Sequence, residues 1–250
     1  DEQAISATTH ARQAREPARL LGPAIAKYSD ALGVAAEHHL GPEAVARLED
    51  QADQLVLFLT SEPAWPTLKG HLVQLAAAGL DPVDVLRDAI SQGTIDDAHD
   101  VAALLDWRID PTRHLPPGPL PWLPGVPAQL AADAVWGGYL TARADLIEHL
   151  ADQTRTAEPV TSAAWISTER HLPEALFGDL RVWRAANDIP DHDLRLTGAP
   201  GTDAAASSWQ RRLDRQLADT GTSDITPWWP KLRQLGPHLV NDPQFPMLAR

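Results

Sequence analysis

The sequence predicts an all-α, multi-helix fold, with two helical subdomains joined by a Pro- and Trp-rich extended segment and part of an internal helical repeat at the carboxy-terminus. Three observations predict it. Apolar residues recur at alternating steps of three and four, the spacing that places them on one face of a helix. Alternating β-branched stretches, the mark of half-buried strands, are absent. The 22 Pro and 15 Gly among 250 residues break up the apolar stretches, so the helices are short and the connections long.

The first apolar stripe is Leu21, Ile25, Tyr28, Leu32 and Ala35, and the second is Val45, Leu48, Ala52, Leu55 and Leu59. Between them Pro42 follows Gly41, a place where a first-turn Pro is tolerated and a new helix can begin. Trp65, Leu68, Leu72 and Leu75 carry the pattern into a third helix closed by Gly79. Asp81-Pro82 reads as an N-cap followed by Pro at the first helical position, with Asp84 adding negative charge to the first turn and Val83, Leu86 and Ile90 facing the core. Gly93 ends that helix. Thr94 with Asp97 three residues later resembles a capping box for the next, whose buried face is Val101, Leu104, Leu105 and Ile109.

From Pro111 to Pro127 the character changes, because Pro116, Pro117, Pro119, Pro121, Pro124 and Pro127 favour extended or polyproline-like backbone. Leu115, Leu120, Trp122 and Leu123 within it predict a segment pinned across a helical surface, since a solvated spacer has little use for them. Beyond it, Leu140, Ala144, Ile147 and Ala151 mark a long helix, Leu176, Leu180 and Trp183 a shorter one, and Trp209, Leu213 and Leu217 a third. The stretch Thr197 to Ala206, TGAPGTDAAA, reads as a mobile loop. The expected organisation is an amino-terminal helical subdomain over 1–110, a packed connector over 111–127, a second helical subdomain over 128–198, and a loop, a helix and the start of a second repeat over 199–250.

The repeat is read from Leu235 to Leu248, LGPHLVNDPQFPML, which aligns without a gap on Leu55 to Leu68, LVLFLTSEPAWPTL. An acidic-Pro-x-aromatic-Pro-x-x-Leu helix start is thus written twice. The second copy breaks off at Arg250 and the chain begins at Asp1 without an initiator Met, which predicts a piece of a larger array.

Composition excludes several kinds of chemistry. The net charge of -13, with only three Lys, sets up a field that repels phosphate, so weak or no nucleic-acid binding by the chain alone is expected. The lack of Cys excludes disulfides, thiol catalysis and Cys-ligated zinc, and fits a cytoplasmic location, which is the expectation here. No apolar run approaches the ~20 residues of a membrane helix, so no membrane insertion is expected. There is no GxxxxGK[ST] phosphate loop, no GxGxxG after a strand and no HExxH or HxH pair, so no cofactor, metal or catalytic residue is assigned. Asp191-His192-Asp193 after Pro190 has two readings, an acid-base or divalent-metal site of an uncharacterised hydrolase or a turn with solvated charges. His38-His39 reads as the dipole-favoured end of a helix.

Nine Trp beside three Phe and two Tyr is an unusual aromatic mix, and Trp is favoured at interfaces as well as in cores. Trp65, Trp107, Trp183 and Trp209 fall on or beside helical core positions. Trp122 and the Trp228-Trp229-Pro230 run have two readings, anchors on a protein partner or staples of their own domain. With Asp96, Asp97 and Asp100 steering a basic counterpart, Trp122, Trp228 and Trp229 make up a candidate partner surface. Single-stranded DNA would instead need Trp interleaved with Arg, and Trp183 beside Arg184, with Trp209 near Arg211 and Arg212, comes closest.

Three stretches carry a family resemblance. The first is Ala64 to Ile109, AWPTLKGHLVQLAAAGLDPVDVLRDAISQGTIDDAHDVAALLDWRI, followed by Leu120 to Gln153, LPWLPGVPAQLAADAVWGGYLTARADLIEHLADQ, and by Leu180 to Gly198, LRVWRAANDIPDHDLRLTG. In this order they resemble the helical carboxy-terminal region of actinobacterial MobF-type conjugative relaxases, often called TraA. Members of that family join a relaxase with Tyr nucleophiles and a His-bound metal to a helicase motor with a phosphate loop. None of those motifs occurs here, and Tyr28 and Tyr139 both read as helix packing, so no catalytic residue carries over. The resemblance implies a non-catalytic accessory domain downstream of the motor, docking the type IV secretion coupling protein or other relaxosome components during plasmid transfer. The alternative is a single-stranded DNA-handling domain that assists the motor.

Overall fold

The computed structural model describes residues 16–157, 165, 172–201 and 203–221. The repeat copy near the carboxy-terminus and the Trp228-Trp229 run lie outside these residues. Among the described residues there are nine α-helices and no strand, as the periodicity predicts. They are α1 (Pro17–Leu40), α2 (Pro42–Leu55), α3 (Trp65–Ala77), α4 (Pro82–Ser91), α5 (Val101–Ile109), the single turn α6 (Ala128–Ala131), α7 (Gly137–Thr156), α8 (Glu174–Ala186) and α9 (Ala204–Gly221).

The central element is α1. Pro17 sits in its first turn, where the missing N–H costs nothing, and its buried stripe is Leu21, Ala24, Tyr28, Leu32, Ala35 and Ala36. This stripe packs against α3 on one side and α7 and α8 on the other. Each large apolar side chain so buried contributes about 1.5–3 kcal/mol. Pro23 lies within the helix but on its exposed side, where water can replace the lost backbone partner. Gly41 ends α1 and opens α2 with φ +81, a conformation that a side chain would strain.

Short-range signals set the next boundaries. At the end of α3 the Gly79 N–H meets the Ala76 carbonyl at 2.9 Å and the Leu80 N–H reaches back to Leu75 at 3.1 Å, the paired bonds of a glycine-stopped helix. Asp81 caps α4 by accepting from the amides of Val83 (2.9 Å) and Asp84 (3.4 Å). The expected capping box at Thr94 is not used: α5 begins at Val101 and its cap is Asp100. The Asp100 carboxylate accepts from Ala103 N through one oxygen and from Ala64 N, just before α3, through the other, both at 2.9 Å. One side chain therefore satisfies donors at the starts of two helices, which Thr94 does not do.

The Pro-rich segment is pinned as its apolar residues suggest. Leu115, Leu120, Trp122 and Leu123 are all buried. The segment doubles back on itself, with Gly125 N donating to Pro116 O at 2.8 Å and an antiparallel bridge between Pro117 and Pro124. A Cβ at Gly118 would collide with the Leu123 carbonyl, and one at Gly125 with that of Pro117, so both positions need glycine for close backbone approach. The Tyr28 hydroxyl on α1 donates to Pro124 O at 2.8 Å. The buried cluster runs without interruption from Leu21 to Leu213, so the helices on either side of 111–127 share one core.

The described residues of the stretch from Thr197 to Ala206 are tied down where a mobile loop is expected. Gln210 on α9 donates to the carbonyls of Thr197 (3.1 Å) and Ala199 (3.0 Å) and accepts from Gly201 N (3.0 Å). Ser207 Oγ donates to Gly201 O at 2.8 Å, and Asp203 caps α9 by accepting from Ala206 N at 2.7 Å. These partners lie on the following helix, out of reach of a composition argument.

Among the described residues, Tyr28 is the single side chain of α1 that hydrogen-bonds to the Pro-rich segment. Tyr28→Phe keeps the ring and removes the bond, so it is expected to lower unfolding free energy by about 1 kcal/mol with an unchanged denaturant slope. Urea titration followed by circular dichroism measures this.

Candidate functional site

Trp122, Trp183 and Trp209 come from the Pro-rich segment, α8 and α9 and meet in one place. Trp122 and Trp183 are edge-to-face, with ring centroids 5.0 Å apart, and Trp122 and Trp209 are 5.8 Å apart. Trp122 is only 7% exposed and Trp183 1%, and the Trp183 indole N–H donates to Thr197 O at 2.9 Å. Trp122 is therefore an internal staple, which corrects its place in the candidate partner surface. Trp183 likewise offers no face on which a base could stack. The packing explains both: an indole between two others buries more apolar area than it would on a surface.

Arg184 is equally internal, at 4% exposure. Its guanidinium donates to four carbonyls of one loop, Pro190 (2.6 Å), Arg195 (2.7 Å), Asp193 (3.1 Å) and Leu196 (3.2 Å), and lies 4.6 Å from the Trp165 ring centre. Burial draws its pKa below the usual guanidinium value, while Asp191 and Asp193 oppose that pull. With both terminal nitrogens committed to backbone carbonyls and its Nε buried without a partner among the described residues, it organises the 187–198 turn and has no fork left for phosphate. In that turn Asp193 accepts from Arg195, which holds its carboxyl down at about 2, and Asp191 accepts from the Trp165 indole at 3.3 Å. His192 is exposed between them.

The remaining basic candidates face outward. Arg212 lies 5.1 Å from the Trp209 ring centre and Arg211 lies 5.6 Å from that of Trp107. Trp107, read as on or beside a helical core position, is 38% exposed. Only its i,i+4 neighbours were readable, and Arg211 reaches it from a helix a hundred residues away. Tyr139 is corrected in the same sense, being 44% exposed with Arg143 over its ring. His38 and His39 do close α1.

The acidic candidates divide. Asp100 is the double cap described above, whereas Asp96 and Asp97 are exposed and form no ion pair among the described residues. Asp97 borders an open depression of about 590 Å³ floored by Ala98, Ala103 and Leu104. Its inner wall is Arg108, held by the carbonyls of Ala89 (3.1 Å), Gly93 (3.2 Å) and Thr94 (2.9 Å). An apolar floor with carboxylates at the edge can accept an apolar side chain flanked by cations.

Sequence reading gave no sign of a buried histidine-carboxylate cluster. His71 on α3 lies 2.5 Å from Asp106 on α5, with Asp203 at the start of α9 and Asp110 adding negative charge nearby. Burial works against the charged imidazole, but the bond and charge of Asp106, with Asp203 and Asp110, together raise its pKa. Burial also raises Asp203, against the Ala206 amide and His71. Among the described residues no group of three such side chains could hold a metal ion.

Both raised pKa values act in the same direction. A group that binds its proton more tightly when folded stabilises the fold below its unfolded pKa, and that stabilisation fades as pH rises through the folded value. Unfolding free energy is therefore expected to fall as pH rises above about 3.9 through the raised Asp203 value, and further above about 6.5 through that of His71, the ordinary values of the two groups. His71→Gln should flatten that slope, and urea midpoints of both proteins across this range measure it. No known family model matches the chain, and neither a curated protein nor a solved structure matches it.

Proposed function

We propose that this chain is a non-catalytic protein-recognition region of a conjugative relaxase-helicase, docking a basic segment of the type IV secretion coupling protein. The family part of the reading rests on the resemblance of the three stretches from Ala64 to Gly198. The observation that supports recognition is the depression beside α5, whose apolar floor of Ala98, Ala103 and Leu104 is bordered by Asp97, with the exposed Asp96 next to it in the chain. A net charge of -13 favours a cationic occupant over an acidic one. No described helix is long and apolar enough to cross a membrane, in keeping with a partner met in water.

The test is calorimetric titration and stopped-flow association with the coupling protein's soluble domain. Asp96→Lys with Asp97→Lys should slow association about 10-fold and reverse its salt dependence, while Leu104→Asp should weaken affinity about 100-fold. Asp100 is left intact because it caps α5. No binding by the folded wild-type chain would end this reading. A second reading, single-stranded DNA handling, is favoured by the outward Arg211–Trp107 and Arg212–Trp209 pairs. If it holds, a fluorescent oligonucleotide binds in a salt-sensitive manner and Trp107→Ala weakens binding about 10-fold, as stacking on one base would require.

A further inference from the structure

The outer side of α1 is unusual for a helix at the centre of a fold. Pro23, Lys27, Asp30 and Val34 follow at steps of four, three and four, one continuous stripe opposite the buried face of Leu21, Tyr28 and Leu32. Val34 is 54% exposed, and beside it Val135, in the turn before α7, is 74% exposed and Tyr139, in the first turn of α7, 44%. These residues and Trp136 enclose an open groove of about 530 Å³ that is mostly apolar, with Lys27 and Asp30 on its edge. Neither Lys27 nor Asp30 forms an ion pair among the described residues.

We infer that this face is a two-fold interface between two copies of the chain, with α1 packed antiparallel on α1 of the second copy. The charge pattern selects that occupant. A two-fold contact is self-complementary, so each charge must find its opposite on the same surface. Lys27 and Asp30 meet that demand: a two-fold axis passing between them sets Lys27 of each copy against Asp30 of the other. The same register sets Pro23 of each copy against Val34 of the other, so the apolar positions coincide as well as the ionic ones. Val135 and Tyr139 then cover the flank of the second α1. A uniformly acidic or basic groove would point to a different partner, but this edge carries one charge of each sign. The net charge of -13 on each copy opposes association at long range, and ordinary salt screens that repulsion while leaving the apolar contact intact. The interface lies on α1 and α7 and is separate from the proposed coupling-protein face, so either inference can fail alone.

Sedimentation equilibrium of the full chain at physiological and higher salt tests this. The wild-type chain is expected to form dimers and nothing larger. Val34→Glu should raise the dimer dissociation constant about 100-fold, because it places two carboxylates in the apolar contact beside Asp30. Asp30→Lys alone should weaken the dimer about 10-fold by setting Lys against Lys across the axis, and Lys27→Asp alone should do the same. The double exchange, Lys27→Asp with Asp30→Lys, should return the affinity to within about 3-fold of wild type, since each pair is restored with its signs reversed. All three substituted positions are exposed, and helical circular dichroism confirms that each variant is folded. A monomer at every concentration overturns the inference, including one whose groove is closed by the chain's own terminal residues. So does a dimer indifferent to Val34→Glu, or a double exchange no better than the single variants.

Discussion

The burial of one face of α1 is the constraint on which the rest depends. Twenty-four residues of helix carry a stripe that α3, α7 and α8 all need in order to bury their own apolar faces. At 13 residues each, α3 and α8 are too short to persist in water without such a partner. The Pro-rich segment has the same dependence in another form. It forms almost no regular structure of its own, and it is fixed by Tyr28 and by side chains that enter the core around α1.

Local signals in this chain were legible because their physics is local. The stripes of α1 and α3, the stop at Gly79 and the Asp81-Pro82 start depend on residues within one or two turns, and they fold as read; the stripe of α2 does so up to Leu55, where the helix ends, and Leu59 is buried from a separate 3-10 turn. Where sequence reading departs from the structure, a distant group decides. Asp100 displaces Thr94 as a cap because a second amide, at Ala64, waits for its other oxygen. Gln210 holds a stretch whose Gly, Pro and Thr composition suggests mobility. Trp107 is exposed although its spacing is that of a core residue, because periodicity gives a face and not the neighbour that covers it.

The candidate sites divide along the same line. Arg beside Trp at 183 and 184 has the composition of a nucleic-acid surface, yet both side chains turn inward and donate to backbone carbonyls. A buried Arg is costly unless several acceptors are preorganised around it, and the turn from Pro190 to Leu196 supplies four. Sequence cannot distinguish that arrangement from an exposed basic pair, since the acceptors are main-chain atoms of any residue type. The exposure of Asp96 and Asp97 was easier to read, because both lie in the acidic connection between α4 and α5.

The contact of Trp122, Trp183 and Trp209 also has an optical consequence. Indoles so close together exchange excitation energy, so their emission is a collective property of three chromophores and not the sum of three isolated ones. Because they arrive on the Pro-rich segment, α8 and α9 respectively, withdrawal of any one element changes the surroundings of the other two. The chain thus carries an intrinsic spectroscopic reporter at the point where three of its parts converge, readable without a label.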